Sequence, residues 1–420
     1  MKAFLRRRVT RHLERAVVEL IKRNPQLKIV AVGGSVGKTS TKLAVAKVLA
    51  EKYRVLVHEG NYNSELGLPL SLFGLEVPAK TTSIEAWLHL LKSVKETLRQ
   101  PYPYDVAVLE LGIDHPGDMA RFMAYLKPDI GLVTAIAPEH MEYFTDLSVV
   151  AEEEFTLDLG SKTVALHLND KNLRERKDRL GDRRVVTYGE SGDVHWADGN
   201  NLCLGELTEV IPVKPQVLGD HSRLVLLAAA TVGVMLELSP DQIRKGLDKV
   251  TAVPGRMQVL KGKNGITIID DSYNSSPEAV YAALATLSKT AKGRRIALLG
   301  QMNELGDYSL RAHTRVGQEA ADLDLLLTLG KDANEILGPS AVEAGLAKSK
   351  WHRFDSPYEA GEWLAKEAKK GDTILFKGSQ NGVFAEEAIK PLLADQADAA
   401  KLVRQSPSWL ARKAKQFGVA

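Results

Sequence analysis

The chain predicts an α/β fold in two domains, the first with a mostly parallel sheet and a small antiparallel appendix, the second Rossmann-like. Three observations carry that reading. Short apolar, β-rich runs alternate with segments of helical period, the pattern of a parallel sheet covered on both faces. The alternation is broken by Thr251-Ala-Val-Pro-Gly255, which reads as a hinge. And 420 residues is roughly two to three times the size of a single hydrophobic core. The composition, 44% hydrophobic and 26% charged, argues against disorder. Lys plus Arg number 56 and Asp plus Glu 53, and the net +3 is too weak a field to suggest a nucleic-acid partner. The single cysteine, Cys203, excludes a disulfide framework and any multi-cysteine metal site. No apolar run approaches the ~20 residues of a bilayer span, so the expectation is a soluble, cytoplasmic protein.

Residues 1–27 form a basic amphipathic segment. Leu5, Val9, Leu13, Val17 and Leu20 recur at helical spacing among Arg6, Arg7, Arg8, Arg11 and Arg15, and the arginines interrupt any secretory apolar core. Such a stripe can meet an anionic membrane surface or pack on the body; packing is expected. In the first domain, 28–253, Lys28–Val32, Arg54–Val57, Asp105–Leu111, Asp129–Ala135 and Thr163–Leu168 read as strands. Thr41–Tyr53, Ile84–Leu98, Gly117–Leu126 and Leu147–Leu159 read as the helices between them. Turn-rich β segments over Val185–Val217 form the antiparallel appendix. Helices Leu224–Leu236 and Pro240–Val250 follow, the second capped by Ser239 with proline at its first position. In the second domain, 254–395, strands Ile266–Asp270, Arg295–Leu299, Leu325–Leu329 and Thr373–Phe376 alternate with helices Glu278–Ser288, Leu310–Ala321, Pro357–Lys369 and Val383–Leu393. The tail, 396–420, is basic again, with Trp409 and Leu410 as apolar anchors.

The strongest chemical signal is Gly33-Gly34-Ser35-Val36-Gly37-Lys38-Thr39-Ser40, between a strand and a helix. Glycines let backbone N–H groups turn toward phosphate oxygens, and the helix N-terminus adds its positive end. Lys38 can reach the β- and γ-phosphates and the Thr39 hydroxyl can hold Mg²⁺. Val32 stands where the longer phosphate-loop pattern has its first glycine, so this is the shorter G-x-x-G-K-[ST] form. Glu110 ends the strand Val106–Leu111 at the edge that faces the ligand crevice of an open parallel sheet. His140, in Pro138-Glu139-His140-Met141-Glu142, follows the next strand. Either group alone fits an ordinary structural role; together beside a phosphate loop they suggest divalent-metal ligation in addition to Thr39.

With these residues in view the chain resembles the Mur ligase family, most closely its D-alanyl-D-alanine-adding branch. The resemblance runs through Gly34–Ser40, Gly60-Asn61-Tyr62-Asn63-Ser64-Glu65-Leu66-Gly67, Glu110-Leu111-Gly112 and His140-Met141-Glu142. It continues through Gly219-Asp220-His221, Pro254-Gly255-Arg256, Asp270-Asp271-Ser272-Tyr273-Asn274, Met302-Asn303-Glu304-Leu305-Gly306 with His313, and Lys377-Gly378-Ser379. It implies an ATP-dependent amide ligase that makes an acyl phosphate and then accepts an amine, acting on small molecules: a muramoyl-peptide and a D-Ala-D-Ala-type dipeptide. The roles it implies place Gly34, Ser35, Val36, Gly37, Lys38, Thr39 and Ser40 on the phosphates, with His221, Arg256 and Asp271 also at the nucleotide. Lys38, Glu110, His140 and Arg256 are the expected catalytic groups, and Thr39, Glu110 and His140 the Mg²⁺ ligands. Asn61, Asn63, His115, Tyr273, Asn274 and Lys377 are expected to contact substrate. Asp114 serves as either a substrate contact or a helix cap.

Four departures qualify the resemblance. Where the family carries a carbamylated lysine, this chain reads Glu152-Glu153-Glu154, which makes Glu154, or else Glu152, the metal-ligand candidate. Ser222 and Val225 replace the usual asparagines near His221, and Gln380 replaces an arginine after Lys377-Gly378-Ser379. The segment before the phosphate loop, ~30 residues, is too short for the family's nucleotide-sugar domain, so the acceptor is expected to be recognised by its peptide end or not to be a uridine nucleotide. A folylpolyglutamate-synthetase-like ligase and an inert nucleotide-binding module are the competing readings. The zinc-ribbon subunit of a lipid-linked amidating complex needs four cysteines, which a single Cys203 cannot supply.

Overall fold

The computed structural model describes residues 3–58, 65–78, 83–138, 141, 143–207 and 209–418. The chain divides into two compact units, one made of 1–138, 143–216 and 224–250, the other of 139–142, 217–223 and 251–420.

Among the described residues the first unit holds a nine-stranded sheet. Its strands are β1 Lys28–Gly33, β2 Val55–Val57, β3 Val106–Glu110, β4 Ile130–Val133, β5 Thr163–His167, β6 Arg184–Tyr188, β7 Val194–Asp198, β8 Asn201–Leu204 and β9 Val210–Pro212. They lie in the order β2-β3-β1-β4-β5-β6-β7-β8-β9. Pairing is parallel from β2 to β7 and antiparallel at β7-β8 and β8-β9. Of the antiparallel appendix expected over Val185–Val217, β6 instead extends the parallel sheet against β5, and only β7 to β9, joined through the single pair Tyr188↔Val194, form an antiparallel edge. From β1 the chain goes to the edge strand β2, returns to β3 beside β1 and then crosses to β4 on the other side, so the strand order reverses at β1. Ligands of open α/β sheets bind at the carboxyl ends of strands where this reversal occurs.

Helix Ala3–Arg23 buries Val9, Leu13, Val17 and Leu20 and leaves Arg7, Arg11 and Arg15 exposed. It packs beside helices Gly67–Leu72, Ile84–Thr97 and Asp118–Tyr125. Arg121 ties it down, pairing with Glu14 at 2.9 Å and with Glu65 at 2.5 Å. Ser239 caps helix Pro240–Leu247 in a reciprocal arrangement with Gln242.

The second unit's sheet comprises β10 Gln258–Lys261, β11 Thr267–Asp271, β12 Arg295–Gly300, β13 Leu325–Leu329, β14 Trp351–Phe354 and β15 Thr373–Lys377. Their order is β10-β11-β15-β12-β13-β14, parallel except for the β10-β11 pair. β10 and β14 are absent from the sequence expectation. Both are short, and β10, Gln-Val-Leu-Lys, buries only Leu260 and leaves Val259 exposed, so neither carries a long apolar run. The helix expected over Val383–Leu393 is a 3₁₀ helix, Ala385–Leu392, containing Pro391; proline offers no N–H to an α-helical ladder. The tail carries a further helix, Pro407–Phe417. Its buried face is set by Trp409, Lys413 and Phe417 at helical spacing: Trp409 and Phe417 lie against Phe384, with ring centroids 6.0 and 6.4 Å away. Leu410, expected as an anchor, is exposed.

Candidate functional site

The phosphate loop joins β1 to helix Lys38–Leu49. Gly34 has φ 110 and Gly37 φ 87, left-handed conformations that favour glycine. A Cβ on Gly34 would run into Thr134, reaching its backbone nitrogen at 2.8 Å. Thr134, just beyond β4, fastens the loop by donating its hydroxyl to Val36 O at 2.6 Å and Gly33 O at 3.1 Å. Ser35 N donates to Ala135 O at 2.7 Å, and Ser35 Oγ accepts from Ala137 N at 3.0 Å. Lys38 Nζ donates to Gly34 O, folding the side chain back over its own loop. Val36, Gly37 and Ser40 complete the segment, all partly exposed.

Glu110, pairing in register with Val32, stands beside this loop. Its Oε1 accepts from Thr39 Oγ1 at 3.1 Å, and its Oε2 lies 3.2 Å from Lys42 Nζ. Both side chains of that ion pair are nearly inaccessible, 2% for Lys42 and 4% for Glu110. A buried carboxylate needs a cationic or hydrogen-bonding partner, and Lys42 is one that the sequence reading missed. The signal available was a lysine one turn beyond Lys38 on a helix whose neighbours Ala44, Val45 and Val48 are apolar.

Glu154 is fully buried on helix Leu147–Gly160, and its Oε2 accepts from Gly34 N at 2.7 Å. The observed partner of the expected metal ligand is thus the loop's own backbone. Glu152, the other candidate, is half exposed and pairs with Arg176 and Arg179 at 2.9 and 2.8 Å. Glu153 closes the turn before helix Asp118–Tyr125, accepting from Gly117 N and Met119 N. Asp118 accepts from Asp114 N and His115 N and so braces the turn ahead of the helix, whose N-cap is Gly117 and not Asp114. His115 is exposed and rests on Tyr143, ring centroids 4.4 Å apart. Asn61, Asn63 and His140 lie outside the described residues. Among the described residues, no cluster of three or more His, Cys, Asp or Glu side chains is placed to hold a metal ion.

In the second unit, the loop after β11 and the end of β15 gather most of the remaining candidates. Lys377, 2% exposed, donates to Asp271 Oδ2 at 2.5 Å and to Asn274 O at 3.0 Å. The other Asp271 oxygen accepts from Met257 N at 3.1 Å. Burial pushes the His221 imidazole below its ordinary value, with Asp271 and Lys377 close enough to act on it, and its buried Nδ1 has no hydrogen-bond partner among the described residues. The Arg256 guanidinium sits over the Tyr273 ring, 4.3 Å from its centroid. Asn274 is exposed. His313, fully buried, takes Met302 N on Nε2 at 2.9 Å and lies 2.9 Å from Ser309 O through Nδ1, which fixes the turn after β12.

Residues 32–233 match the Mur ligase middle domain and residues 255–380 the glutamate ligase domain of Mur ligases. The chain is 31% identical over 376 residues to the UDP-N-acetylmuramoyl-tripeptide--D-alanyl-D-alanine ligase of Synechocystis sp., covering 88% of this chain and 75% of that one. It is 29% identical over 379 residues to the enzyme of the same name from Escherichia coli, covering 87% and 76%. In three dimensions it resembles the MurF ligase from Thermotoga maritima crystallised with ADP, at a TM-score of 0.72 and 26% identity over 91% of this chain and 83% of that one. The chain belongs to the Mur ligase family.

Proposed function

We propose that this family member is an ATP-dependent amide ligase of peptidoglycan-precursor synthesis, joining a D-Ala-D-Ala-type dipeptide to a muramoyl-peptide carboxylate. The carrying observation is the extent of the match to ligases of that name, 88% of the chain, with Lys38, Thr39 and Glu110 drawn together at the carboxyl ends of β1 and β3.

In this reading a carboxylate oxygen of the acceptor attacks the γ-phosphorus of ATP and ADP departs, leaving an acyl phosphate. The amine nitrogen of the dipeptide then adds to the acyl carbon, the tetrahedral intermediate expels phosphate, and the nitrogen gives up its proton to solvent. Backbone N–H groups of 36–40 cradle the polyphosphate, those of Gly34 and Ser35 being held by Glu154 and by Ala135 O, and Lys38 leaves Gly34 O for the β- and γ-oxygens. Thr39 and Glu110 fit Mg²⁺, since one hydroxyl and one carboxylate oxygen are hard donors of the kind that ion takes alongside water and phosphate. When bound, the cation screens the polyphosphate charge. His140 is assigned a second cation. Lys42 holds the Glu110 carboxylate in place.

Arg256 is assigned to the γ-phosphate, Asp271 and His221 to the nucleoside, and Tyr273 and Asn274 to substrate, as are His115, Asn61 and Asn63. Lys377 acts from the end of β15, fixing Asp271 and the Asn274 carbonyl rather than presenting a free ammonium. Glu154 is assigned to the frame of the phosphate loop. The reaction is placed in the cytoplasm, where ATP is available; no described helix is long and apolar enough to cross a membrane.

The test is mass spectrometry of Mg²⁺-ATP reactions offering UDP-muramoyl-tripeptide or its lipid-linked counterpart with D-Ala-D-Ala, and a folate with glutamate. A condensed product from a muramoyl pair, with matching phosphate release, is expected. No product from either muramoyl acceptor overturns the reading.

A further inference from the structure

The segment after β15 lies beyond the matched glutamate ligase domain, which ends at 380, yet it grips the loop after β11. Arg404 is nearly buried, 7% exposed, and forks onto Glu386 with Nε at 2.8 Å and Nη2 at 2.6 Å. Its remaining N–H groups donate to Tyr273 O at 2.9 Å and Ser272 O at 2.8 Å. On the far side Glu386 meets Lys413 at 2.7 Å, and Lys413, itself fully buried, also reaches Glu387 at 2.6 Å and Arg404 O at 2.9 Å. Val403 fills the space over Gly255, where a Cβ would stand 2.8 Å from Val403 Cγ1, and Tyr273 N donates to Gly255 O at 3.0 Å. Val403 and Arg404 thus touch both the turn that presents Arg256 and the loop that presents Tyr273, whose ring carries the Arg256 guanidinium.

The backbone bears the same mark. Six non-glycine residues among those described have left-handed backbone, and three of them, Met257, Phe384 and Arg404, belong to this cluster with φ 52, 51 and 55. Such conformations each cost about 1–3 kcal/mol and persist where surrounding contacts over-determine them. Buried ion pairs are a poor route to stability compared with apolar packing of equal volume, but they fix geometry through directional contacts.

We propose that Arg404, held by Glu386 and Lys413, is a positioning residue that sets the 272–273 backbone and, through the Tyr273 ring, the aim of Arg256. The proposal rests on the ligase reading only for its catalytic consequence; the positioning itself is measurable without turnover.

Arg404→Lys keeps a cation against Glu386 but cannot span Glu386 and both carbonyls, so it separates the ion pair from the loop contact. The expected result is a melting temperature close to that of the parent and faster hydrogen exchange at amides 271–275. Loss of kcat by about tenfold or more at saturating ATP, with a smaller change in KM, is also expected, since small misplacement of an aligning group is costly. Val403→Ala should produce the same pattern in weaker form, and decides the matter should Arg404→Lys fail to fold. Unchanged exchange at 271–275 in a folded variant overturns the proposal, and so does a lowered melting temperature with parental kcat per folded molecule. If the parent chain condenses no substrate pair, the ligase reading fails while the exchange measurement still decides the positioning role.

Discussion

Two loops in this chain carry most of the assigned chemistry, and they are held by different means. The loop after β1 is shaped by two left-handed glycines of its own and fastened through its backbone groups by the Thr134 hydroxyl and one carboxylate, Glu154, on the Gly34 amide. The loop after β11 is braced by side chains from far along the sequence, with Arg404 on its carbonyls and Lys377 on Asp271 and Asn274. A loop that must offer its N–H groups to an anion is best shaped by glycine, which adds no bulk at the binding surface. A loop that presents side chains can be tied from behind by charge-assisted hydrogen bonds. The glycines that shape the first loop are written in consecutive residues, whereas the side chains that fasten either loop come from distant positions.

The comparison breaks most sharply at Gly34. Gly34→Ala puts a methyl group against Thr134 in a backbone conformation that alanine resists, and no neighbouring side chain alone can yield, because the obstacle includes a backbone nitrogen. ATP-dependent turnover is expected to fall by ~100-fold or more, with nucleotide binding lost in calorimetry. Near-parental ATP affinity would show that the loop is not the phosphate cradle.

Asp270 tests the second loop. It is fully buried, Ser272 donates to it through both N–H and Oγ, and its Oδ2 has no hydrogen-bond partner among the described residues. Burial raises its carboxyl to about 6, with Glu386 and Asp271 adding to the effect. A raised folded-state value means that this contribution to stability is complete below the unfolded value near 3.8 and is lost as pH climbs through about 6. The loss amounts to about 3 kcal/mol. Asp270→Asn should remove that slope, so the difference in unfolding free energy between the two proteins, followed by denaturant titration, should change between pH 4 and 6 and level off above. A difference that stays flat across the window would refute the titration.

Much of this architecture was legible because near-continuous apolar runs end where strands end, and because Gly-rich sequence between a strand and a helix has few other uses. The Ser239 cap and the buried stripe of Val9, Leu13, Val17 and Leu20 were legible for the same local reasons. What escaped was paired charge. Lys42 and Lys413 were not singled out because each partner, Glu110 or Glu386, is remote in sequence. The β10 edge escaped because four residues with a single buried side chain carry no periodicity to read. Glu154 was noticed, but nothing local to 152–154 announces that its carboxylate meets the Gly34 amide.

A smaller effect sharpens the role of glycine. Gly37 also has left-handed backbone, yet a Cβ there meets nothing within 4 Å. Gly37→Ala should cost about 1 kcal/mol of stability from backbone strain alone, visible as a modest shift in melting temperature, and ATP affinity should fall far less than with Gly34→Ala. Equal losses at the two positions would mean that conformation, not the Thr134 contact, dictates the loop.

The smallest expected effect decides what Glu154 does. Asp158, one turn further along the same helix, is also fully buried, and burial together with the Glu154 charge pushes its carboxyl well above the usual carboxylate range. Two acids in so little solvent are kept for geometry rather than for charge. Glu154→Gln retains an oxygen for Gly34 N and gives up only the charge-assisted part of that bond, about 1 kcal/mol. A loop brace therefore predicts turnover within about fivefold of the parent and an unchanged Mg²⁺ dependence, because the amide oxygen still shapes the backbone. A metal ligand predicts the opposite, since a neutral amide oxygen binds a hard divalent cation far more weakly than a carboxylate. Titrating Mg²⁺ against turnover for Glu154→Gln and Glu154→Ala separates the two: a brace leaves the glutamine variant's half-saturating Mg²⁺ at the parental value while alanine fails at every concentration. A glutamine variant rescued only by excess Mg²⁺ would return Glu154 to the metal site.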